Sequence, residues 1–186
     1  MRPRRLLIGV VVAAAMFGLA TPSRMPSVIW NTTASAPIGL YVLDRHAPLR
    51  RGDLVAALPA PDLARALAVR GVLPPGVPLI KPVAALGGQT VCRHGERISV
   101  DGADLATARR RDRRGLPLPV WQGCRRLTSN QVLLLNPARA DSFDGRYFGP
   151  LATSTVWGRV RPLWVERPGP GQRTSGPVGS RLEARP

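Results

Sequence analysis

Between Pro37 and Val165 the chain is written as short apolar runs cut by glycine and proline, and that punctuation constrains the fold more than any other feature. Twenty prolines and nineteen glycines leave little room for a long soluble helix, because proline removes a backbone donor and glycine loses the most backbone entropy on ordering. The runs Gly39–Leu43, Leu54–Leu58, Thr90–Cys92, Arg97–Val100, Gln131–Asn136 and Gly158–Val165 read as strands. The first two are expected to pair as a hairpin across Arg51-Gly52-Asp53, and Gly87-Gly88-Gln89 is expected to turn the strand before it back on itself. Pro61 to Gly71, with proline at its start, alanine and leucine inside and glycine at its end, is the one short soluble helix. The expected fold is mainly β: a coiled antiparallel sheet or incomplete barrel with the functional site at its edge. A length of 186 residues allows one domain with a moderate core.

The ends divide from the middle by composition. Arg2, Arg4 and Arg5 precede a charge-free stretch over 6–20, which reads as an export signal. The stretch is shorter than the roughly 20 residues of a full span, and Gly18-Leu19-Ala20 suits signal cleavage; extended by Thr21 to Ser23 it also suits an uncleaved anchor with its basic end in the cytoplasm. The expected organisation is a membrane anchor or signal segment over 1–22, a folded domain over 23–165 and a disordered Pro/Gly/Ser/Arg-rich tail over 166–186. Localisation follows from the same alternatives: a bacterial inner membrane protein with its domain in the periplasm, or a periplasmic one if the signal is cleaved. Cys92 and Cys124 bracket an Arg-rich, Pro-containing stretch with little apparent core; an oxidising compartment would pair them, the alternative being two separate buried thiols. No metal site and no cofactor are expected, since two cysteines and two histidines lack zinc-site spacing.

The basic residues comprise 26 arginines and a single lysine, Lys81. Arginine does not lose its proton in a protein, whereas a desolvated lysine amine can fall toward neutrality and act as a base. Lys81 lies in the apolar run Pro78 to Leu86, which has the residues of a buried strand. A matching nucleophile is Ser35, set among small residues in Asn31-Thr32-Thr33-Ala34-Ser35-Ala36-Pro37-Ile38-Gly39-Leu40-Tyr41, where Pro37 and Gly39 break regular structure. A serine hydroxyl needs an adjacent base, and lysine is one solution. Alone, the serine is equally an ordinary turn residue.

The order of an apolar N-terminal segment, the serine loop, the lysine strand and a late Asp141-Ser142-Phe143-Asp144-Gly145-Arg146 block resembles the signal peptidase I superfamily. The Asn-Thr-Thr-x-Ser-x-Pro-x-Gly-Leu-Tyr pattern is similar to that of the TraF-type conjugal-transfer peptidases, which mature pilin precursors. The resemblance implies a signal-peptidase-like sheet, a Ser35 nucleophile with Lys81 as general base, Ser142 hydrogen-bonded to Lys81, and Asp144 paired with Arg146. Asp141 or Asp144 could act through the loop's shape, and a carboxylate in direct contact with Lys81 would restore its charge, so Asp144 is expected to address Arg146. Thr33, two residues before the nucleophile, is the implied hydroxyl donor to the oxyanion beside the Ser35 backbone N–H, although it replaces the donor seen elsewhere. The implied partners are a pilin precursor, the membrane and a conjugative transfer apparatus.

A net charge of +16 and the run Arg109 to Arg114 raise nucleic acid as a partner. The cluster has no interleaved aromatics and no DNA-binding motif, so a solvated face or one resting on anionic lipid heads is favoured and no nucleic acid is expected. His46 and His94 lie in no nucleophile-elbow or chymotrypsin-like context. Two other readings stand beside the pilin peptidase. One is a general signal peptidase, from which Ser35-Ala36 departs where serine-methionine is usual; the other is a non-enzymatic exported scaffold or DNA-contacting transfer protein. Whether water cleaves the acyl-enzyme or an amine closes a ring is not written in the sequence.

Overall fold

The computed structural model describes residues 27–33 and 35–166. The expected N-terminal anchor or signal segment and the tail beyond Glu166 lie outside the described residues. The strands are β1 Ser27–Asn31, β2 Gly39–Asp44, β3 Leu54–Ala57, β4 Leu79–Leu86, β5 Thr90–His94, β6 Arg97–Val100, β7 Ala103–Thr107, β8 Gly123–Arg126, β9 Gln131–Leu134, β10 Leu151–Ala152 and β11 Val156–Val165. Helix α1 spans Pro61–Val69, and a second short helix, α2, spans Gly145–Phe148. The fold is mainly β, as expected, in two antiparallel sheets, with orders β1-β2-β11-β3-β4-β9-β10 and β7-β6-β5-β8. The larger sheet curls into an open half-barrel with β1 and β10 at its edges.

The expected hairpin of β2 and β3 does not form. The last strand, β11, lies between them, pairing β2 through Arg159–Val165 and β3 through Val156–Arg159. The connection between β2 and β3 is occupied with its own turns. The Asp44 carboxylate accepts from the backbone N–H of His46 and Ala47, and Asp53 accepts from that of Arg50 at 2.7 Å. Gly158 lets β11 enter: its φ is +151°, and a Cβ there would stand 2.3 Å from the Asp44 carbonyl oxygen.

Gly87-Gly88 do form a turn, with the Gln89 N–H donating to the Leu86 carbonyl at 3.2 Å, but β4 does not pair with the strand that follows it. It pairs β3 on one side and β9 on the other, while Gly87-Gly88 carry the chain across to the second sheet. A Cβ on Gly87 would stand 2.7 Å from the Thr128 carbonyl oxygen, so the crossing needs a residue without one. The segment bracketed by the cysteines also has a core, contrary to expectation. Within it Ile98, Val100 and Trp121, together with Val91 and Leu127 just outside the cysteines, pack against Ala84, Ala85, Leu133 and Leu135 on the side of the larger sheet. Strands β1, β7 and β8 and helix α2 were not legible as runs, because the three strands lie at sheet edges with mostly exposed side chains and lack the apolar alternation that signals a half-buried strand.

Cys92 and Cys124 sit directly opposite each other on β5 and β8 and form a disulfide across a separation of 32 residues. Closing a loop of that length is worth about 3 to 4 kcal/mol in the chain-entropy account. The double replacement Cys92→Ser with Cys124→Ser is therefore expected to lower unfolding stability by about that much. Urea titration of oxidised wild type, reduced wild type and the double variant checks it, with the last two expected to coincide.

Candidate active site

Lys81 is placed by the middle of the larger sheet, opposite Val55 of β3, and is 1% exposed. Leu79 and Val83, which share its face of β4, are core residues, so the strand carries the side chain into the interior. There Lys81 Nζ donates to Ser142 Oγ at 2.7 Å, the contact the resemblance implied. Ser142 is itself buried and is held by its backbone N–H, which donates to the Arg139 carbonyl at 3.1 Å. Burial is the largest influence on the Lys81 amine and brings its pKa down to about 8; Asp144 opposes this, Arg146 assists it, Asp141 opposes and Arg139 assists.

Asp144 is fully buried and makes no hydrogen bond to Lys81 among the described residues. Its two oxygens accept from Arg146 Nε at 2.8 Å and Nη2 at 3.0 Å, and from the backbone N–H groups of Asn136 and Arg146. Arg146, also buried, sends its remaining donors to the carbonyls of Thr107, Asn136 and Arg139. The pair therefore cross-links the end of β7, the segment after β9 and the start of α2, and it keeps the carboxylate engaged away from the lysine. Asp141 stands apart from this pair, bridging Arg113 and Arg139 at the surface.

Ser35 is half-buried in a loop held by side-chain hydrogen bonds to its backbone carbonyls. The Asn31 amide nitrogen donates to the carbonyls of Thr33, Ala36 and Pro37, at 3.0, 3.2 and 3.0 Å, and Tyr41 Oη donates to the Pro37 carbonyl at 2.7 Å. Asn136, which the sequence reading gave no role, joins this loop to the lysine side: its Nδ2 donates to the Ser35 carbonyl at 2.8 Å, while its backbone N–H donates to Asp144. The signal that could have found it is an Asn-Pro step closing an apolar strand beside the Asp141–Arg146 block. Among the described residues Lys81 makes no direct hydrogen bond to the Ser35 hydroxyl. Thr33 Oγ1 donates to Asn31 Oδ1 at 2.9 Å, so serving an oxyanion requires that hydroxyl to release Asn31.

The remaining residues named from sequence lie elsewhere. Cys92 and Cys124 are on the second sheet, with His94 Nε2 at 3.6 Å from Cys124 Sγ. These three side chains bring ligand-type atoms within 4.8 Å of one another, but sulfurs shared in a disulfide are not the thiolates that zinc takes.

The depressed lysine has a consequence for stability. Below pH 8 the folded state carries a buried ammonium at a cost; between pH 8 and 10.5 the folded amine is neutral while the unfolded one still holds its proton. Stability from this group therefore rises with pH across that window. Measured against the non-titrating Lys81→Met variant, wild type is expected to gain about 2 kcal/mol between pH 7 and pH 9.5 in paired denaturant titrations.

The family model described as "Signal peptidase, peptidase S26" matches residues 4–165. The plasmid transfer protein TraF of Escherichia coli is 33% identical over 172 residues, covering 86% of this chain and 96% of that protein. The conjugal transfer protein TraF of Agrobacterium fabrum is 32% identical over 169 residues, covering 86% and 92%. Among solved structures, a signal peptidase I from Enterococcus faecalis aligns with a TM-score of 0.35 at 17% identity, over 61% of this chain and 97% of that one. On the sequence matches, this chain belongs to the signal peptidase family, peptidase S26, as a TraF-type member.

Proposed function

We propose that this chain is a membrane-associated serine endopeptidase that processes a conjugative pilin precursor, with Ser35 as nucleophile and Lys81 as general base. The observation that carries the reading is a buried lysine whose hydrogen-bond partner is a neutral hydroxyl, while the nearest carboxylate is consumed by an arginine. A neutral amine has a lone pair to aim, and the Ser142 hydroxyl fixes its direction without restoring the charge. Membership of a peptidase family and the conjugal and plasmid transfer names of the relatives support the reaction and its setting.

In the proposed reaction Ser35 Oγ attacks a peptide carbonyl while Lys81 takes its proton. The backbone N–H of Ser35 faces the developing oxyanion, joined by Thr33 once its hydroxyl leaves Asn31. Collapse breaks the peptide bond, Lys81 returns the proton to the leaving amine, and an acyl-enzyme remains. Water then releases a carboxylate; an amine attacking instead forms a new peptide bond and closes a ring. Asn136, by holding the Ser35 carbonyl, sets the position of the nucleophile relative to the lysine strand.

A membrane setting, with the domain in the periplasm, is supported by the charge-free stretch over 6–20 and by an apolar surface beside β1. Val28 and Trp30 of β1 and Leu163 and Trp164 of β11 are exposed, and the two indole rings stack across β2 at 5.8 Å between centroids. Exposed tryptophans of this kind suit a membrane–water interface.

The non-catalytic scaffold reading draws on the lack of a direct Ser35–Lys81 hydrogen bond, and one experiment separates the two. Co-expression of the pilin precursor with wild type, Ser35→Ala or Lys81→Arg, followed by intact-mass analysis, is expected to show processing with wild type alone. Lys81→Arg keeps a positive charge and removes the titratable amine, so unchanged processing with it rules out the general base. The product mass from wild type reports whether water was added or a ring was closed. With a peptide substrate, kcat/KM is expected to rise with pH along a limb centred near pH 8, because the free enzyme is active when Lys81 is unprotonated.

A further inference from the structure

A cavity of about 360 Å3 adjoins the segment that carries Ser142, and its wall is cationic. Arg70, Arg109, Arg111, Arg113 and Arg114 line it, against the carboxylates of Asp112 and Asp141, which leaves three positive charges uncompensated within the lining. Some of these arginines are committed. Arg70 reaches Asp112 at 3.5 Å and the Pro117 carbonyl at 2.8 Å, Arg111 donates to the Gly115 carbonyl, and Arg113 bridges to Asp141. The guanidinium groups of Arg109 and Arg114 have no acceptor among the described residues.

Both free arginines are nonetheless positioned. The Arg109 backbone N–H donates to Tyr147 Oη at 3.0 Å, and Arg146 donates to the Thr107 carbonyl two residues earlier, so the start of this loop is tied to α2 of the catalytic block. Arg114 lies over Gly71 at the end of α1, its Nη2 only 3.3 Å from where a Cβ would stand. The floor between them is apolar, formed by Val72, Leu118, Phe143 and Tyr147. A concave site with an apolar floor and two uncommitted guanidinium forks suits a carboxylate on a short extended peptide, because each fork can donate two parallel hydrogen bonds to one carboxylate. A flat lipid surface would not enter it.

We propose that this cavity is a substrate exosite that captures an acidic stretch of the peptide, through a glutamate or aspartate side chain or a chain-end carboxylate, by Arg109 and Arg114. The proposal rests on the peptidase reading and adds the chemistry of the substrate's flanking region to it. Asp141 and Phe143 line the cavity and are the sequence neighbours of the buried Ser142, whose hydroxyl accepts from Lys81, so the exosite and the proposed base share one loop.

The test is equilibrium binding, followed by fluorescence anisotropy, of fluorescein-labelled Ala-Leu-Glu-Ala-Glu-Leu-Ala to the full chain in detergent. Peptides with Gln for Glu, each with a free or amidated end, distinguish the side-chain from the chain-end carboxylate. Arg109→Gln with Arg114→Gln is expected to weaken the acidic peptide at least tenfold and to leave the doubly neutral peptide unaffected. Arg126→Gln, an exposed arginine on β8 outside the cavity, is expected to change it less than twofold. Equal binding of the acidic and doubly neutral peptides, or an equal loss in Arg126→Gln, overturns the exosite. So does a loss seen only with phosphatidylglycerol vesicles, which assigns the arginines to lipid heads. Because binding is read without turnover, the two proposals fail separately. Processing that survives Ser35→Ala sinks the peptidase reading with the binding data intact, and binding indifferent to Arg109 and Arg114 sinks the exosite with processing intact.

Discussion

The buried ion pair of Asp144 and Arg146 is the interaction on which the rest of the site depends. Taking two charges out of water costs several kcal/mol each, and the pair is tolerable because nearly every donor and acceptor is used. The carboxylate receives two side-chain and two backbone hydrogen bonds, and the guanidinium spends what remains on three carbonyls. Those carbonyls belong to Thr107, Asn136 and Arg139, so one pair fixes the end of a strand of the second sheet and both flanks of the Ser142 loop. Removing either member would strand a charge in the core and release all three segments together. The pair has an electrostatic effect as well: with its carboxylate satisfied locally, Asp144 does not contact the lysine amine, and burial of Lys81 dominates.

The serine loop is organised differently, by neutral amides. Asn31 acts as a local knot within the loop, and Asn136 is the long-range tie from that loop to the segment carrying the ion pair. Such bonds orient without adding charge, which suits a site where a neighbouring anion would raise the lysine pKa. Beneath both, Phe143 and Tyr147 pack with Leu67 of α1, Leu73, Leu79, Ala108 and Leu118. The Asp141–Arg146 block is thus seated on the same apolar cluster that holds the arginine-bearing loop.

Much of the local reading survives in the structure because it rests on local physics. Glycine and proline spacing marked most strands, and Pro61 to Gly71 gave a helix over Pro61–Val69. The apolar run around the single lysine marked a buried strand, while the pairing of Asp144 with Arg146 was implied by the family resemblance. What failed was pairing between segments far apart in sequence. The β2–β3 hairpin was the short-range solution, but the connection forms its own turns and β11 enters from more than a hundred residues away, where Gly158 removes the Cβ that would block it. Edge strands such as β7 and β8 were invisible because exposed side chains carry no alternation.

The sequence alone determined that the fold is mainly β and that Lys81 lies on a buried strand, since both follow from residue type and near neighbours; it offered Ser35 and Lys81 as candidates, and the supporting residues came from a family resemblance. Tertiary structure decided which partners those residues meet. Ser142 reaches the amine from 61 positions away, Asp144 turns to Arg146, Asn136 grips the Ser35 carbonyl, and Arg109 and Arg114 line a cavity, their side chains without an acceptor among the described residues. The reason is that a hydrogen bond depends on tenths of an ångström between groups brought together by strand order, and strand order is set by long-range packing that no local pattern encodes.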